Sequence, residues 1–150
     1  MPGGARPENV WIPWAGYATR GRASAYDLGA EVRMIAGGIA TLYVTDMDRS
    51  VRFYVEQLGL RLKVRHGNGW AEIDAGDGLV IGLHGLHPGA PPVSGSGSTS
   101  LGLRCSAPID DVYRALGERG VSFRGPVRKD STISIAHFAD PDGNALYICA

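Results

Sequence analysis

The chain of 150 residues carries 15 basic and 15 acidic residues, and this neutral balance argues against a nucleic-acid-binding surface. No apolar run reaches the length that spans a bilayer, so no membrane partner is expected. Glycine is abundant at 22 residues, typical of a turn-rich β protein, and two cysteines are too few for a disulfide framework, which favours a reduced, cytoplasmic protein.

Residues 1–33 differ in composition from the rest of the chain. They mix proline, glycine and arginine with Trp11 and Trp14 and show no sustained hydrophobic period. We therefore predict an irregular or disordered N-terminal extension, followed by a single domain over residues 34–150.

The domain opens with a strand, a helix and a second strand. Apolar β-formers predict the first strand over 39–45, and Asp46 is placed to cap a helix over 48–58. Gly59 predicts the end of that helix, and a strand follows over 60–65. Strict alternation in this second strand puts three apolar residues on one face: Leu60, Leu62 and Val64.

A hairpin completes the first module. Residues 70–75 and 79–84 predict two strands joined at Asp77-Gly78, a pair that tolerates the backbone angles of a tight turn. The segment 87–99 is rich in proline, glycine and serine and predicts a flexible linker. Module one therefore spans 34–86.

The same plan occurs a second time. A shift of 61 positions aligns Gly59 with Gly120, and a shift of 65 aligns the turn at Asp77-Gly78 with Asp142-Gly143. Module two, over 100–150, is predicted to repeat the order of module one, with strands over 101–105, from 121, over 133–138 and over 145–149, and a helix over 109–118. The fold class is therefore α+β, with two tandem βαβββ modules.

Four motifs carry a resemblance to a known family: Tyr43–Ser50, the pair Phe53-Tyr54, Leu58-Gly59-Leu60, and Phe138–Asn144. They resemble the vicinal-oxygen-chelate superfamily of glyoxalases, bleomycin resistance proteins and extradiol dioxygenases. The resemblance covers residues 34–150. It implies a cupped mixed sheet around one cavity, helices on the outside, and a homodimer.

Strand alternation predicts which side chains face the cavity. The apolar set of each strand should pack on the helix layer, which turns the alternate residues inward. The inward polar and aromatic residues are then Thr41, Tyr43, Trp70, Glu72, His84, Arg104, His137 and Tyr147.

The resemblance also implies where the enzymes of the family hold a divalent metal. The matching positions here are Ile39, Gly82, Ser100 and Tyr147. Isoleucine and glycine have no side-chain donor, serine is a weak ligand, and neutral tyrosine is rarely used. We therefore expect no metal at this site and no cofactor.

The first functional hypothesis is a metal-independent small-molecule-binding protein. Aromatic walls from Tyr43, Trp70 and Tyr147, with Thr41 and Arg104 as polar contacts, suit an organic, aromatic ligand.

Two alternatives stay open at the level of sequence. A metal-free lyase, isomerase or cyclase would use His84 or His137 as general base, with Glu72 as orienting partner. A metal enzyme with a relocated site would use Glu72, His84 and His137 as ligands. The sequence does not decide between binding and turnover.

Overall fold

The computed structural model describes residues 38–93 and 99–150. The predicted extension over 1–33 lies outside the described residues, as do positions 94–98 of the predicted linker 87–99. Within the described ranges, no helix is long and apolar enough to cross a membrane.

The described elements follow the order strand, helix, strand, strand, strand, twice. The first module comprises β1 Ala40–Val44, α1 Met47–Arg52, β2 Arg61–His66, β3 Trp70–Asp74 and β4 Val80–Gly85. The second comprises β5 Leu101–Arg104, α2 Ile109–Glu118, β6 Arg128–Lys129, β7 Ser134–Ala139 and β8 Ala145–Cys149.

Each module forms a four-stranded mixed sheet. Sheet one has the strand order β1, β4, β3, β2, and sheet two has the order β5, β8, β7, β6. In both sheets the first strand pairs in parallel with the last, and the remaining pairs are antiparallel. The predicted α+β fold with two tandem βαβββ modules is confirmed.

The helical segment that starts with α1 begins and ends where its capping residues predict. The Asp46 carboxylate accepts a hydrogen bond from the backbone N–H of Arg49 at 2.9 Å, and Gly59 adopts a φ of 72° just beyond the end. The prediction of one regular helix over 48–58 was too simple, because residues Phe53–Gln57 form a π-helical turn. This wider turn accompanies the burial of two successive aromatic side chains, Phe53 and Tyr54.

The hydrophobic core lies between the helices and one face of each sheet. In sheet one the apolar residues of the core cluster alternate along the strands, as Ala71 with Ile73 and Ile81 with Leu83 illustrate. Sheet two contributes Ala136, Phe138, Leu146 and Ile148. The opposite face of each sheet, which we call the cup face, therefore carries the alternate residues.

A bulge in β2 overturns the alternation predicted for that strand. Leu62 pairs with Ile73, but the next pair joins Val64 to Glu72, so Lys63 is an extra residue. Leu62 consequently lies on the core side and Val64 on the cup face, whereas the prediction had placed both residues on the same face.

The strand predicted from Val121 onward is also wrong in detail. Phe123 forms an isolated bridge with Phe138, and regular pairing resumes only at Arg128. The intervening backbone cannot continue the ladder, because Gly125 has a φ of 142° and Pro126 has no N–H.

Polar contacts join the two modules at the C-terminal end of β1. Asp142, in the turn between β7 and β8, accepts hydrogen bonds from the backbone N–H of Thr45 at 3.1 Å and from Arg49 at 3.0 Å. At the corresponding end of β5, Arg104 lies 3.8 Å from Asp77 in the turn between β3 and β4. Each edge strand therefore ends against the turn of the other module.

A buried carboxylate reinforces this junction. Asp140 accepts hydrogen bonds from the Tyr54 hydroxyl at 2.9 Å and from the side-chain amide of Asn144 at 2.8 Å. Burial raises the pKa of Asp140 above its usual range, although these hydrogen bonds act in the opposite direction. Burial and the neighbouring carboxylate raise the pKa of Tyr54 as well, so its hydroxyl stays a donor.

Candidate functional site

The strand register sets the cup face of sheet one in two rows. Tyr43, His84 and Trp70 are directly opposite one another on β1, β4 and β3. The row below contains Thr41, Gly82 and Glu72. Five residues predicted to face inward in module one therefore share one face.

Four rings form an aromatic cluster at one end of this face: Tyr43, Trp70, His84 and His87. The His84 ring lies 5.3 Å from Tyr43, 5.6 Å from Trp70 and 4.9 Å from His87, measured between ring centroids. Trp70 meets His84 edge-on at 78°. Tyr43 and His84 are partly exposed and His87 is exposed, so these three rings can contact a planar organic molecule beside the buried Trp70.

His87 is absent from the predicted site because it falls at the start of the predicted linker 87–99. Its ring is exposed but contacts both His84 and Tyr43. The three-residue spacing from His84, just past the end of β4, was the only available signal. The proline, glycine and serine residues that follow His87 predicted a linker instead.

Trp70 covers the lower row of the face. Its side chain is buried, and its indole Nε1 donates to Oε1 of the buried Glu72 at 3.2 Å. The indole lies across Gly82, since a Cβ at that residue would overlap the Cη2 atom of Trp70 and lie 2.9 Å from Cζ2. Glycine at 82 is therefore what admits the tryptophan.

The hydrogen bond of His84 defines which ring nitrogen is available. Its Nδ1 lies 2.7 Å from the carbonyl oxygen of Gly85. A carbonyl can only accept, so this contact assigns the proton to Nδ1 and leaves the lone pair of the neutral ring on Nε2. His84 can thus accept a hydrogen bond from a ligand, or a proton, through Nε2.

Sheet two contributes a second, smaller group. His137 is directly opposite Tyr147, with ring centroids 5.7 Å apart, and Tyr147 is opposite Gly102. The Tyr147 ring lies over Gly102, where a Cβ would be 2.7 Å from Cε2. Arg104, at the end of β5, has an 81% exposed side chain.

Seven of the eight predicted site residues thus fall into two groups, and the eighth, Arg104, lies 3.8 Å from Asp77. The structure brings together Tyr43, Trp70 and His84, with Glu72 beneath the indole and Thr41 on the neighbouring row. His137 and Tyr147 form a pair on the other sheet. Catalytic use of His84, Glu72 and His137 stays a prediction.

The residues at the family's metal positions do not fit a divalent cation. Gly82 faces the Trp70 indole, and Ile39 packs beside it, with Cγ2 3.0 Å from a Cβ built at residue 82. Ser100 and Tyr147 leave at most two weak oxygen donors. Among the described residues, no three His, Cys, Asp or Glu side chains form a group that could hold a metal, and this includes Glu72, His84 and His137.

The family model described as Glyoxalase/Bleomycin resistance protein/Dioxygenase superfamily matches residues 37–148. The chain belongs to this superfamily. The match spans both modules, and it confirms the resemblance predicted from the four sequence motifs. Comparison with curated proteins finds no match.

Solved structures of this superfamily fold include two at higher identity. TnmS3, an antibiotic-binding protein from Streptomyces sp. CB03234, is 30% identical, with a TM-score of 0.59 over 77% of this chain and 96% of that one. Virulence protein STM3117 from Salmonella typhimurium is 29% identical, with a TM-score of 0.58 over 77% of this chain and 98% of that one.

A third structure, SMU.1112c, supports the fold alone. It is 24% identical, with a TM-score of 0.64 over 79% of this chain and all of that one.

Proposed function

We propose that the protein binds an organic, aromatic small molecule on the cup face and does so without a metal. One observation supports this proposal most strongly. At Gly82, a position where related enzymes hold a metal ligand, the Trp70 indole fills the space that a side chain would occupy. Where an enzyme of the superfamily would present a carboxylate or imidazole, this chain presents a ring.

The surrounding residues support a ligand of this kind. His84 lies between Tyr43 and the indole and contacts both rings, so a flat molecule could stack on the cluster while Nε2 of His84 accepts one hydrogen bond. Such a combination of apolar walls with few polar groups is typical of small-molecule sites. The similarity to the antibiotic-binding protein TnmS3 supports the same function.

Ligand titration of matched variants tests the proposal. A set of aromatic antibiotics and naphthalene derivatives would be screened by thermal shift, and the strongest ligand titrated calorimetrically. Trp70→Leu should weaken binding about tenfold or more, since it removes the largest ring of the cluster.

The matched control is Tyr113→Leu. Tyr113 stacks on Phe123 at 4.2 Å on the helix side of sheet two, so its loss removes an aromatic ring away from the cup face. Equal affinities of the two variants would contradict binding at the cup face. Turnover of a ligand that disappears in His84→Ala would instead favour the metal-free enzyme.

The assembly and location are part of this proposal. A homodimer follows from the superfamily resemblance and would be tested by light scattering on the full chain. A reducing, cytoplasmic location suits the two free thiols Cys105 and Cys149. Burial raises the pKa of Cys105, so its thiol stays protonated and less reactive.

A further inference from the structure

A recess of about 340 Å³ opens on sheet two, beside the interruption between Phe123 and β6. It exists because the chain leaves β7 after Arg124 and regular pairing resumes only at Arg128. The residues that line it include Arg124, Gly125, Pro126, Arg128, His137 and Ala145. The corresponding β2 of module one continues along β3 from Arg61 to His66, with only its bulge.

The polar side chains of the recess lie on the cup face. Phe123 is paired with Phe138 on the core side, so the next residue, Arg124, points the other way, and its backbone N–H donates to the His137 carbonyl at 2.7 Å. Arg128 is directly opposite Ile135, two residues before His137 on the same face of β7. Both arginines and His137 therefore share this face.

Few negative charges lie near the two guanidinium groups to balance their positive charge. The ion pairs between described residues include neither Arg124 nor Arg128. The nearest acid in sequence, Asp130, uses Oδ1 to accept from the backbone N–H groups of Thr132 and Ile133, at 2.7 and 3.0 Å. Arg128 contributes to lowering the pKa of Asp130, but only as the smallest of several causes.

Phe138 and Leu146 also border the recess from the neighbouring strands, but each is 1% exposed because its side chain packs in the core on the other face of sheet two. An anion entering here would meet two exposed guanidinium groups and the exposed His137 ring, and hydrogen bonds between ionised groups are stronger than those between neutral ones. Arginine also matches the two oxygens of a carboxylate or phosphate in a planar, bidentate fashion.

We propose that Arg124, Arg128 and His137 bind an anionic oxygen group, such as a carboxylate, sulfonate or phosphate, carried by the ligand of the cup face. The inference rests on the proposed function and sharpens it. The ligand is an aromatic acid, with its rings on the cluster of sheet one and its anionic group on sheet two.

A pair of ligands of the same shape tests the assignment on the full chain. Naphthoate carries the anionic group, and naphthamide replaces it with a neutral amide on the same ring system. Calorimetric titration should give naphthoate an affinity about tenfold or more above that of naphthamide. The double variant Arg124→Gln/Arg128→Gln should remove this advantage and leave naphthamide binding unchanged.

The control variant is Arg114→Gln, which removes one positive charge from the outer surface of α2. Its ion pair with Asp111 is well exposed, so its loss should alter neither folding nor the naphthoate advantage. Melting temperatures of all variants without ligand separate a binding defect from unfolding.

Each outcome decides one point. No advantage for naphthoate, or an advantage that survives the double variant, overturns the anion site, whereas naphthamide binding that depends on Trp70 leaves the proposed function standing. Naphthoate binding that needs the arginines but not Trp70 overturns the proposed function instead. Inorganic phosphate that raises the melting temperature as much as naphthoate would mark a site for free anions and contradict the link to an aromatic acid.

Discussion

At the scale of single residues, Gly82 determines what the cup face can hold. Any side chain at this position would occupy the volume of the Trp70 indole. The tryptophan in turn covers Glu72, whose carboxylate accepts the indole N–H. Gly82 therefore makes room for the Trp70 ring at a position where related enzymes hold a metal ligand. The same ring keeps the buried Glu72 hydrogen-bonded.

The variant Gly82→Ala should lower the free energy of unfolding by about 1–3 kcal/mol, because the added methyl group displaces the Trp70 ring. Gly38→Ala is the matched control, since a Cβ there meets nothing within 4 Å, and its effect should stay within about 0.5 kcal/mol. Urea unfolding measures both. In a Trp70→Leu background the penalty at residue 82 should shrink, and a penalty equal to that of Gly38→Ala would contradict the packing described for the indole.

Most inward-facing residues were predictable because alternation needs only a period of two and a clear apolar face. Ala71 and Ile73 against Trp70 and Glu72 satisfy both conditions. Val64 did not follow, since the extra residue at Lys63 shifts the register and leaves no mark in the hydrophobic pattern. His87 was missed for a different reason, because its ring contacts depend on how the chain turns after β4.

At the scale of elements, the turn between β7 and β8 acts as a clamp on α1. Asp140 receives the Tyr54 hydroxyl, and Asp142 receives Thr45 and Arg49. Gly143, with a φ of 86°, permits the tight turn that aims both carboxylates at the other module. The sequence motifs at Phe53-Tyr54 and Asp140–Asn144 are therefore two sides of one contact.

The carboxyl of Asp140 should make stability depend on pH in a particular direction. Burial raises its pKa above the ordinary value, so the folded state binds this proton more tightly than the unfolded chain does. Its contribution is fully present below about pH 4, the ordinary range of an aspartic acid, and is lost as the pH rises through the folded pKa.

The comparison with Asp140→Asn, which cannot titrate, isolates this effect. The free energy of unfolding of the wild type, measured by urea denaturation, should fall relative to that of the variant as the pH is raised from about 4 to about 7. The variant itself should be destabilised, since an amide cannot accept from all the donors around Asp140. If the wild type instead became more stable relative to the variant as the pH rises, the hydrogen bonds would lower the pKa of Asp140 by more than burial raises it.

Element boundaries were predictable where a cap or a turn residue marks them. Asp46 marks the start of α1, Gly59 follows the π-helical turn that continues it, and Asp77-Gly78 marks the first hairpin. The bounds of the strand after α2 were not predictable. Val121 and Phe123 have the pattern of a strand, but Gly125 and Pro126 prevent its pairing. The recess between Arg124 and His137 is a consequence of that interruption, and so the alternation argument never assigned the two arginines to the cup face.

At the scale of the whole molecule, the internal repeat was the most informative feature of the sequence. Two copies of one βαβββ unit specify two sheets with equivalent faces, and the shifts of 61 and 65 residues correctly paired Gly59 with Gly120 and Gly78 with Gly143. The fold and the superfamily follow from this level. The ligand does not, because the duplicated faces have diverged in sequence: one carries the aromatic cluster and the other carries the basic recess.

The cup faces of the two sheets differ in the groups that they offer a ligand. Sheet one supplies rings, sheet two supplies positive charge, and the positions that hold a metal in related enzymes carry Ile39, Gly82, Ser100 and Tyr147. A ligand held in this way needs no inner-sphere coordination to a cation. Its affinity should therefore be independent of metal content.

The most direct test is calorimetric titration of the full chain with its best aromatic ligand, before and after treatment with a chelator, alongside elemental analysis of the same samples. We predict the same affinity in both samples and in a third sample supplied with zinc. A loss of binding on chelation that is restored by about one equivalent of metal per chain would contradict the central claim, and would place the chain among the metal-dependent members of its superfamily.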